Sequence, residues 1–94
     1  MHIQFTIHIF KEERSFVAHA LELDVSSCGG TKDKALKNLK EAVRLFLEEA
    51  GQMGTLDVIL EESGFSRRDG QIVGRKFIGV QRVTLPLVPR HTTA

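Results

Sequence analysis

The chain has 94 residues, a formal net charge of +1, 27% charged residues and one cysteine. These values predict one domain with a modest core, and they exclude an intramolecular disulfide and nucleic-acid binding through overall basicity. The N-terminal sequence matches neither a signal peptide nor a membrane span, so we expect a reduced, cytoplasmic protein that does not bind membranes.

The first two predicted elements are strands. Residues 2–10 alternate apolar and polar side chains strictly, which predicts a half-buried strand. Residues 15–23 predict a second strand, antiparallel to the first, with apolar side chains on both faces. The sequence offers one long helix, which can cover only one of those faces. We therefore expect the other face to mediate dimerisation or to bind a partner.

A short third strand, residues 25–30, is predicted to turn directly into the main helix, residues 31–50. Thr31 is suited to N-cap this helix, and Gly51 is suited to end it in a left-handed conformation. The helix is predicted from apolar residues at steps of three and four, which are Leu36, Leu39, Val43, Phe46, Leu47 and Ala50.

A second, shorter helix is predicted after the main one. Residues 56–63 place apolar side chains at helical spacing and precede Gly64, a residue typical of helix ends. Residues 67–74 then predict a flexible polar loop with a hairpin turn at Asp69 and Gly70.

The last predicted element is a strand over residues 76–88, at a sheet edge because Pro86 has no N–H to donate. This element order predicts an α+β two-layer sandwich, with the helices on one face of an antiparallel sheet. Residues 1–54 would form the β-β-β-α core of a single domain. Residues 55–88 would extend it with a short helix and a strand, and residues 89–94 would fray.

Few residues suggest chemistry. His8 and His19 lie on adjoining predicted strands, but no Cys or carboxylate joins them at the spacing of a metal site. Glu22 and Asp24 fit surface or capping groups. We therefore expect no metal, no cofactor and no catalytic residue. A small enzyme that uses His8, His19 or Cys28 is an alternative for which the sequence suggests no substrate.

Two basic groups could bind an acidic partner or nucleic acid. The first is on the main helix, where basic residues near the N-terminus oppose the helix dipole. It consists of Lys32, Lys34, Lys37 and Lys40. The second flanks the predicted polar loop and consists of Arg67, Arg68, Arg75 and Lys76. A solvated surface explains both groups at least as well.

Residues 29–48 follow the pattern Gly-Gly-Thr-x-x-x-Ala-Leu-x-Asn-Leu-x-Glu-Ala-x-x-Leu-Phe-Leu-Glu. Together with the preceding strands, this pattern resembles the HicB family of antitoxins and their stand-alone relatives. The resemblance covers slightly more than the first half of the chain. It implies a partial ribonuclease-H-like domain without nuclease carboxylates. It also implies a partner, a HicA-like toxin, which is a small ribonuclease that cleaves messenger RNA.

The region after Gly54 departs from longer HicB proteins, because it lacks the two helices of their DNA-binding module. We therefore expect a non-catalytic binding module, the antitoxin of a type II toxin–antitoxin pair, that contacts the toxin through its sheet and sheet edges. We also expect a homo-dimer or higher oligomer. A small nucleic-acid-binding or regulatory protein is the alternative. The candidate contact residues are His8, Phe16, His19, Arg67, Arg68, Arg75 and Lys76.

Overall fold

A computed structural model describes residues 1–89 and has an α+β architecture with two helices and two three-stranded sheets. The strands are β1 His2–Ile3, β2 Ile7–Lys11, β3 Phe16–Ala20, β4 Val25–Gly29, β5 Ser66–Arg68 and β6 Gln71–Val73. The helices are α1 Lys32–Met53 and α2 Leu56–Glu62. Among the described residues, no helix combines the length and the apolar character needed to cross a membrane.

The main sheet is antiparallel, with strand order β2-β3-β4, as the sequence predicts for its first three strands. The second sheet has strand order β1-β6-β5 and is mixed. Its β1 and β6 pair in parallel, whereas β5 and β6 form an antiparallel hairpin. The parallel pair differs from the expected wholly antiparallel sheet. It is possible because both helices lie between β1 and β6 in the chain and provide the long connection that parallel strands need.

The single strand expected over residues 2–10 is divided into β1 and β2 by residues 4–6. Glu22 explains the interruption, because its carboxylate accepts hydrogen bonds from the Thr6 N–H at 2.8 Å and from the Thr6 hydroxyl at 3.0 Å. The Thr6 N–H is therefore bonded to a side chain and not to a strand carbonyl. The break allows one extended segment to join both sheets.

The core lies between the main sheet and α1. Ala18 and Ala20 on β3 are fully buried, and they pack with Ala35, Leu39 and Val43 on α1. Small side chains on the strand let the helix approach the sheet closely, while Leu39 fills the space between them. The remaining members of this core come from the turn after β3 and from the C-terminal part, and they are Leu23, Leu60, Phe65 and Ile72.

Helix α1 begins as predicted and ends later than predicted. The Thr31 hydroxyl accepts a hydrogen bond from the Lys34 N–H at 3.1 Å, which confirms Thr31 as the N-cap. The prediction that the helix ends at Gly51 was wrong, because the helix continues through Gly51 to Met53. Gly54 takes the left-handed conformation instead, with φ of 77°.

Helix α2 and the hairpin agree with the predicted elements. Helix α2 ends at Glu62, one residue before the predicted boundary. In the β5–β6 hairpin, Asp69 and Gly70 both have positive φ, at 49° and 77°. Two consecutive residues of this kind form the turn that matches the twist of a two-residue hairpin. Residues 67–74 are therefore largely a hairpin and not a flexible loop.

The strand predicted over residues 76–88 is wrong, because residues 74–89 form neither helix nor strand. A segment becomes a strand only when another strand takes up its main-chain groups. Among residues 1–89, no strand pairs with this segment. Its apolar side chains face solvent, as the 78% exposure of Leu85 shows. Of the tail expected at 89–94, residues 90–94 lie outside the described residues.

Candidate functional site

The face of the main sheet that points away from α1 is the first candidate site. Ala18 and Ala20 are buried beneath α1, so the alternation along β3 directs Val17 and His19 to the opposite side. The strand register places the side chains of β2 and β4 on the same two faces. We call this side the outer face, and its residues are His8, Phe10, Val17, His19, Ser26 and Cys28.

The structure confirms the predicted neighbourhood of the two histidines, because His8 and His19 lie directly opposite each other on β2 and β3. The Nε2 atom of His19 is 2.7 Å from the Oδ1 atom of Asp24, which holds the ring beside the turn after β3. Asp24 has a φ of 54°, a left-handed conformation that Asp tolerates better than most residues. The imidazole of His19 is therefore anchored.

His8 is bonded differently from His19. Its Nε2 atom is buried and has no hydrogen-bond partner within residues 1–89. Its ring meets the ring of Phe10 edge to face, with centroids 6.4 Å apart and an interplanar angle of 85°. This aromatic contact leaves Phe10 52% exposed. The outer face thus has an apolar centre beside an imidazole nitrogen that lacks a partner.

The outer face does not place Cys28 opposite either histidine. No three His, Cys, Asp or Glu side chains converge into a metal-binding group in the described part of the chain. Cys28 is exposed on β4 and lies opposite Val17, whereas the residue opposite His19 is Ser26. The register therefore does not pair the thiol with either histidine.

Phe16 lies on the other side of the sheet from His8 and His19. Its ring packs against the core, and the Lys11 ammonium group lies 4.6 Å from the ring centroid in a cation–π contact. The outer face is also smaller than predicted, because β3 ends at Ala20. Leu23 follows in the turn and enters the core, where it is 9% exposed.

The basic residues near the hairpin divide between two places. Arg67 and Arg68 lie on β5, and the Arg67 guanidinium bonds the Asp57 carboxylate on α2 at 2.5 Å. Arg75 and Lys76 follow β6 and line an open cleft of about 310 Å³. The structure therefore does not bring the four basic residues into one patch.

The cleft beside Arg75 also contains residues that the sequence did not single out. Glu22 and Thr6 form part of its wall, together with Phe77 at the start of the C-terminal segment. Glu22 was expected to be a surface or capping group, yet it bonds Thr6 and joins the turn after β3 to residues 4–6. No sequence pattern indicates this pair, because the two residues are 16 positions apart.

A second contact that the sequence did not predict lies at the β4 edge of the main sheet. The side-chain amide of Asn38 on α1 donates a hydrogen bond to the carbonyl oxygen of Cys28 on β4 at 2.8 Å. The asparagine within the helical pattern was the available signal, since Asn is a weak helix former and often bonds main-chain groups. Its role is to satisfy a carbonyl on the outer edge of β4.

Charges on the exposed side of α1 are partly paired. Arg44 bonds the carboxylates of Glu41 and Glu48, the latter at 2.8 Å. The hydrogen bond from Arg44 lowers the pKa of Glu41, and the two carboxylates raise the pKa of Arg44. The four helix lysines considered above are all exposed and precede this cluster in the helix.

Comparison with known proteins adds no relative to this description. No family model, no curated protein and no solved structure matches the chain.

Proposed function

We propose that this chain is a non-catalytic binding protein, the antitoxin of a type II toxin–antitoxin pair, which neutralises a HicA-like ribonuclease that cleaves messenger RNA. The proposal rests on the HicB-like pattern of residues 29–48 and on the three strands of the main sheet, β2 to β4, which directly precede α1 in the chain. In this proposal the main sheet and α1 correspond to the two-layer, partial ribonuclease-H-like core of that family.

The observation that supports this function best is the uncovered outer face. Helix α1 packs on one side of the main sheet, and its opposite side presents Phe10 with half of its surface exposed. Val17 lies beside Phe10 in the strand register, and the ring of His8 packs edge to face against Phe10. Aromatic side chains surrounded by polar groups are typical centres of protein interfaces.

The proposed mechanism is steric. The outer face binds the toxin around Phe10 and Val17, and the bulk of the domain then covers the surface through which the toxin binds RNA. Apolar contacts around Phe10 and Val17 supply most of the affinity. Inhibition of this kind needs no chemistry from the antitoxin, and it requires one bound domain for each toxin molecule.

The test is an RNA-cleavage assay with the small protein encoded next to this chain. We expect the purified domain to suppress cleavage at near one-to-one stoichiometry. Phe10→Ala should raise the concentration needed for half inhibition by about tenfold or more, because it removes the aromatic centre of the interface. Leu45→Ala is the matched control, since Leu45 on α1 is also 52% exposed but lies outside the outer face. It should leave inhibition unchanged.

Two results would contradict this function. The first is undiminished cleavage in a sample where the two proteins form a verified complex. The second is inhibition through the RNA, as the nucleic-acid-binding alternative requires. In that case an unrelated ribonuclease would be inhibited equally, and the inhibition would disappear steeply with added salt, because contacts to phosphates weaken as ionic strength rises.

A further inference from the structure

The C-terminal segment, residues 77–88, carries the largest apolar surface left open in the described chain. More than half of the exposed large apolar side chains belong to it, with exposures from 53% for Phe77 to 89% for Ile78. These side chains are Phe77, Ile78, Val80, Val83, Leu85, Leu87 and Val88. Contiguous apolar surface of this kind marks an interaction site.

The segment extends away from the body of the domain. The described chain measures 53 × 31 × 31 Å and has a radius of gyration of 17.3 Å. A compact domain of this length would have a radius of gyration of about 12 Å. Phe77 still lines the cleft beside Glu22, and the excess arises because the residues after it stand away from both sheets, as exposures of 69% or more for their apolar side chains show. The apolar residues after Phe77 therefore face solvent and are accessible to another molecule.

Among the described strands, the free edge of β2 is the best suited to receive this segment. Strands β1 and β5 have two and three residues, which is too short for a stable pairing. At the outer edge of β4, Asn38 already bonds the Cys28 carbonyl and would compete with an added strand. Strand β2 has five residues and pairs with β3 alone among the described strands, so its other edge is open.

The main-chain groups at the open edge follow from the antiparallel alternation. The Leu21 N–H donates to the Thr6 carbonyl, so Thr6 directs its main-chain groups toward the β3 side. His8 and Phe10 do the same two and four residues later. The N–H and C=O groups of Ile7, Ile9 and Lys11 consequently point away from β3 and can bond an added strand.

The segment has one phase in which it can occupy this edge. Val83, Leu85 and Leu87 alternate with Thr84 and Pro86. Because proline has no N–H, Pro86 must face away from the strand with which the segment pairs. Val83, Leu85 and Leu87 then direct their main-chain groups at that strand. Residues 83–87 match the five residues of β2 in length.

We propose that residues 83–87 add as a strand to the open edge of β2 in a second copy of this chain. Each chain carries one unpaired segment and one open edge, so a two-fold dimer with reciprocal exchange satisfies both in both copies. In each copy the exchange removes the exposed side chains of Val83, Leu85 and Leu87 from water. The outer face stays free, so this dimer is independent of the proposed function.

The experiment measures self-association of the full chain by sedimentation equilibrium, with Val83→Pro and Thr84→Pro as a matched pair. Val83→Pro removes an N–H that faces the β2 edge, whereas Thr84→Pro removes one that faces away. The wild type and Thr84→Pro should be dimers at micromolar concentration. Val83→Pro should raise the dimer dissociation constant about tenfold for each lost ladder bond, hence about a hundredfold for the two in a symmetric dimer. A cooperative melting transition of monomeric Val83→Pro would show that the domain is still folded.

Amide hydrogen exchange locates the pairing. In the wild type the amides of Ile7, Ile9 and Lys11 should be protected, and Val83→Pro should expose them. A wild type that is still monomeric at about 100 μM would overturn the proposal. Equal dimerisation of both proline variants would overturn it as well. Protection of the segment only after the neighbouring ribonuclease is added would also overturn it, because the occupant would then be the toxin. A monomeric Val83→Pro that still inhibits cleavage separates this dimer from the proposed function.

Discussion

Asn38 on α1 donates a 2.8 Å hydrogen bond from its side-chain amide to the carbonyl oxygen of Cys28 on β4. This contact fixes the first turns of the helix against the outermost strand of the main sheet. It also removes a free acceptor from a sheet edge, which lowers the tendency of β4 to pair with another strand.

Replacement of Asn38 by Ala should therefore destabilise the domain despite the higher helix propensity of Ala. The expected loss is about 0.5–1.5 kcal/mol in the free energy of unfolding, since the bond is exposed and joins neutral groups. Urea denaturation measures the change. Lys37→Ala, one position earlier on the same helix, serves as the control and should change stability by less than about 0.5 kcal/mol. Equal stability of the two variants would mean that the contact contributes nothing.

The two glycines before α1 should respond differently to substitution. A Cβ at Gly29 would lie 2.6 Å from the Ala35 nitrogen and 2.8 Å from the Lys34 carbonyl carbon, both main-chain atoms that cannot move aside. Gly29→Ala should cost about 1–3 kcal/mol through overpacking. Gly30→Ala meets nothing within 4 Å and should be close to neutral. Thermal unfolding of both variants tests the pair, and similar melting temperatures would contradict the close approach of α1 to β4.

The glycines at the other end of α1 should show effects of opposite sign. Gly51 lies inside the helix with only the Leu56 Cδ2 atom near, at 3.9 Å, so Gly51→Ala should stabilise by about 0.5–1 kcal/mol through helix propensity. Gly54 has a φ of 77°, where a Cβ is strained, and Gly54→Ala should destabilise by about 1 kcal/mol. If Gly51 ended the helix as the sequence suggested, the two signs would be reversed.

Local signals in the sequence identified local structure. Thr31 was recognised as an N-cap because capping depends on a residue and its near neighbours. The placement of His8 and His19 on adjoining strands followed from two predicted strands joined by a short turn. The helix end was predicted wrongly at Gly51, because a glycine inside a helix is tolerated. The true end depends on how Leu56 and the rest of the following helix pack.

Long-range contacts could not be predicted in this way. The break at residues 4–6 depends on Glu22, which lies on the far side of a hairpin. Likewise, the alternation within residues 76–88 predicts a strand, but it carries no information about which strand would pair with it. The predicted contact residues were scattered for the same reason, with Phe16 on the core side and Arg67 bonded to Asp57.

The joint between the two sheets should depend on the Glu22–Thr6 contact. Glu22→Ala leaves the half-buried Thr6 N–H without its acceptor and should cost about 1–3 kcal/mol. Thr6→Val removes the hydroxyl bond and should cost about 1 kcal/mol. The double variant should be less destabilised than the sum of the two by at least about 0.5 kcal/mol, because both changes remove the same bond. Strict additivity in chemical denaturation would disprove the coupling, with Glu13→Ala as a control for loss of an acidic side chain.

Arg44 should make the titration of Glu41 sensitive to one substitution. Its hydrogen bond lowers the pKa of Glu41 below the ordinary value of a glutamate, so NMR titration of Arg44→Gln should show a higher pKa for Glu41 than the wild type. Because the pKa is lower in the folded state, the associated stability is present above the unfolded-state pKa and is lost as pH falls through the folded-state pKa. Lys34→Gln removes an equal charge two turns away and should move the Glu41 pKa less. An equal shift in both variants would indicate general charge and not the Arg44 bond.

The 22 residues of α1 make a rod of about 33 Å, whereas a five-residue strand of the main sheet spans about 17 Å. The last turns of the helix therefore overhang the main sheet, and there Leu47 borders the groove that also contains Ile3 and Ile72 of the second sheet. That sheet closes by pairing His2 with Gln71, two residues that lie on opposite sides of both helices in the chain. Contacts so distant in sequence form late in folding and open early, so β1 should exchange its amide hydrogens faster than β3. We therefore expect α1 and the hairpin of β2 and β3 to form first during folding. The second sheet then packs against the free end of the helix.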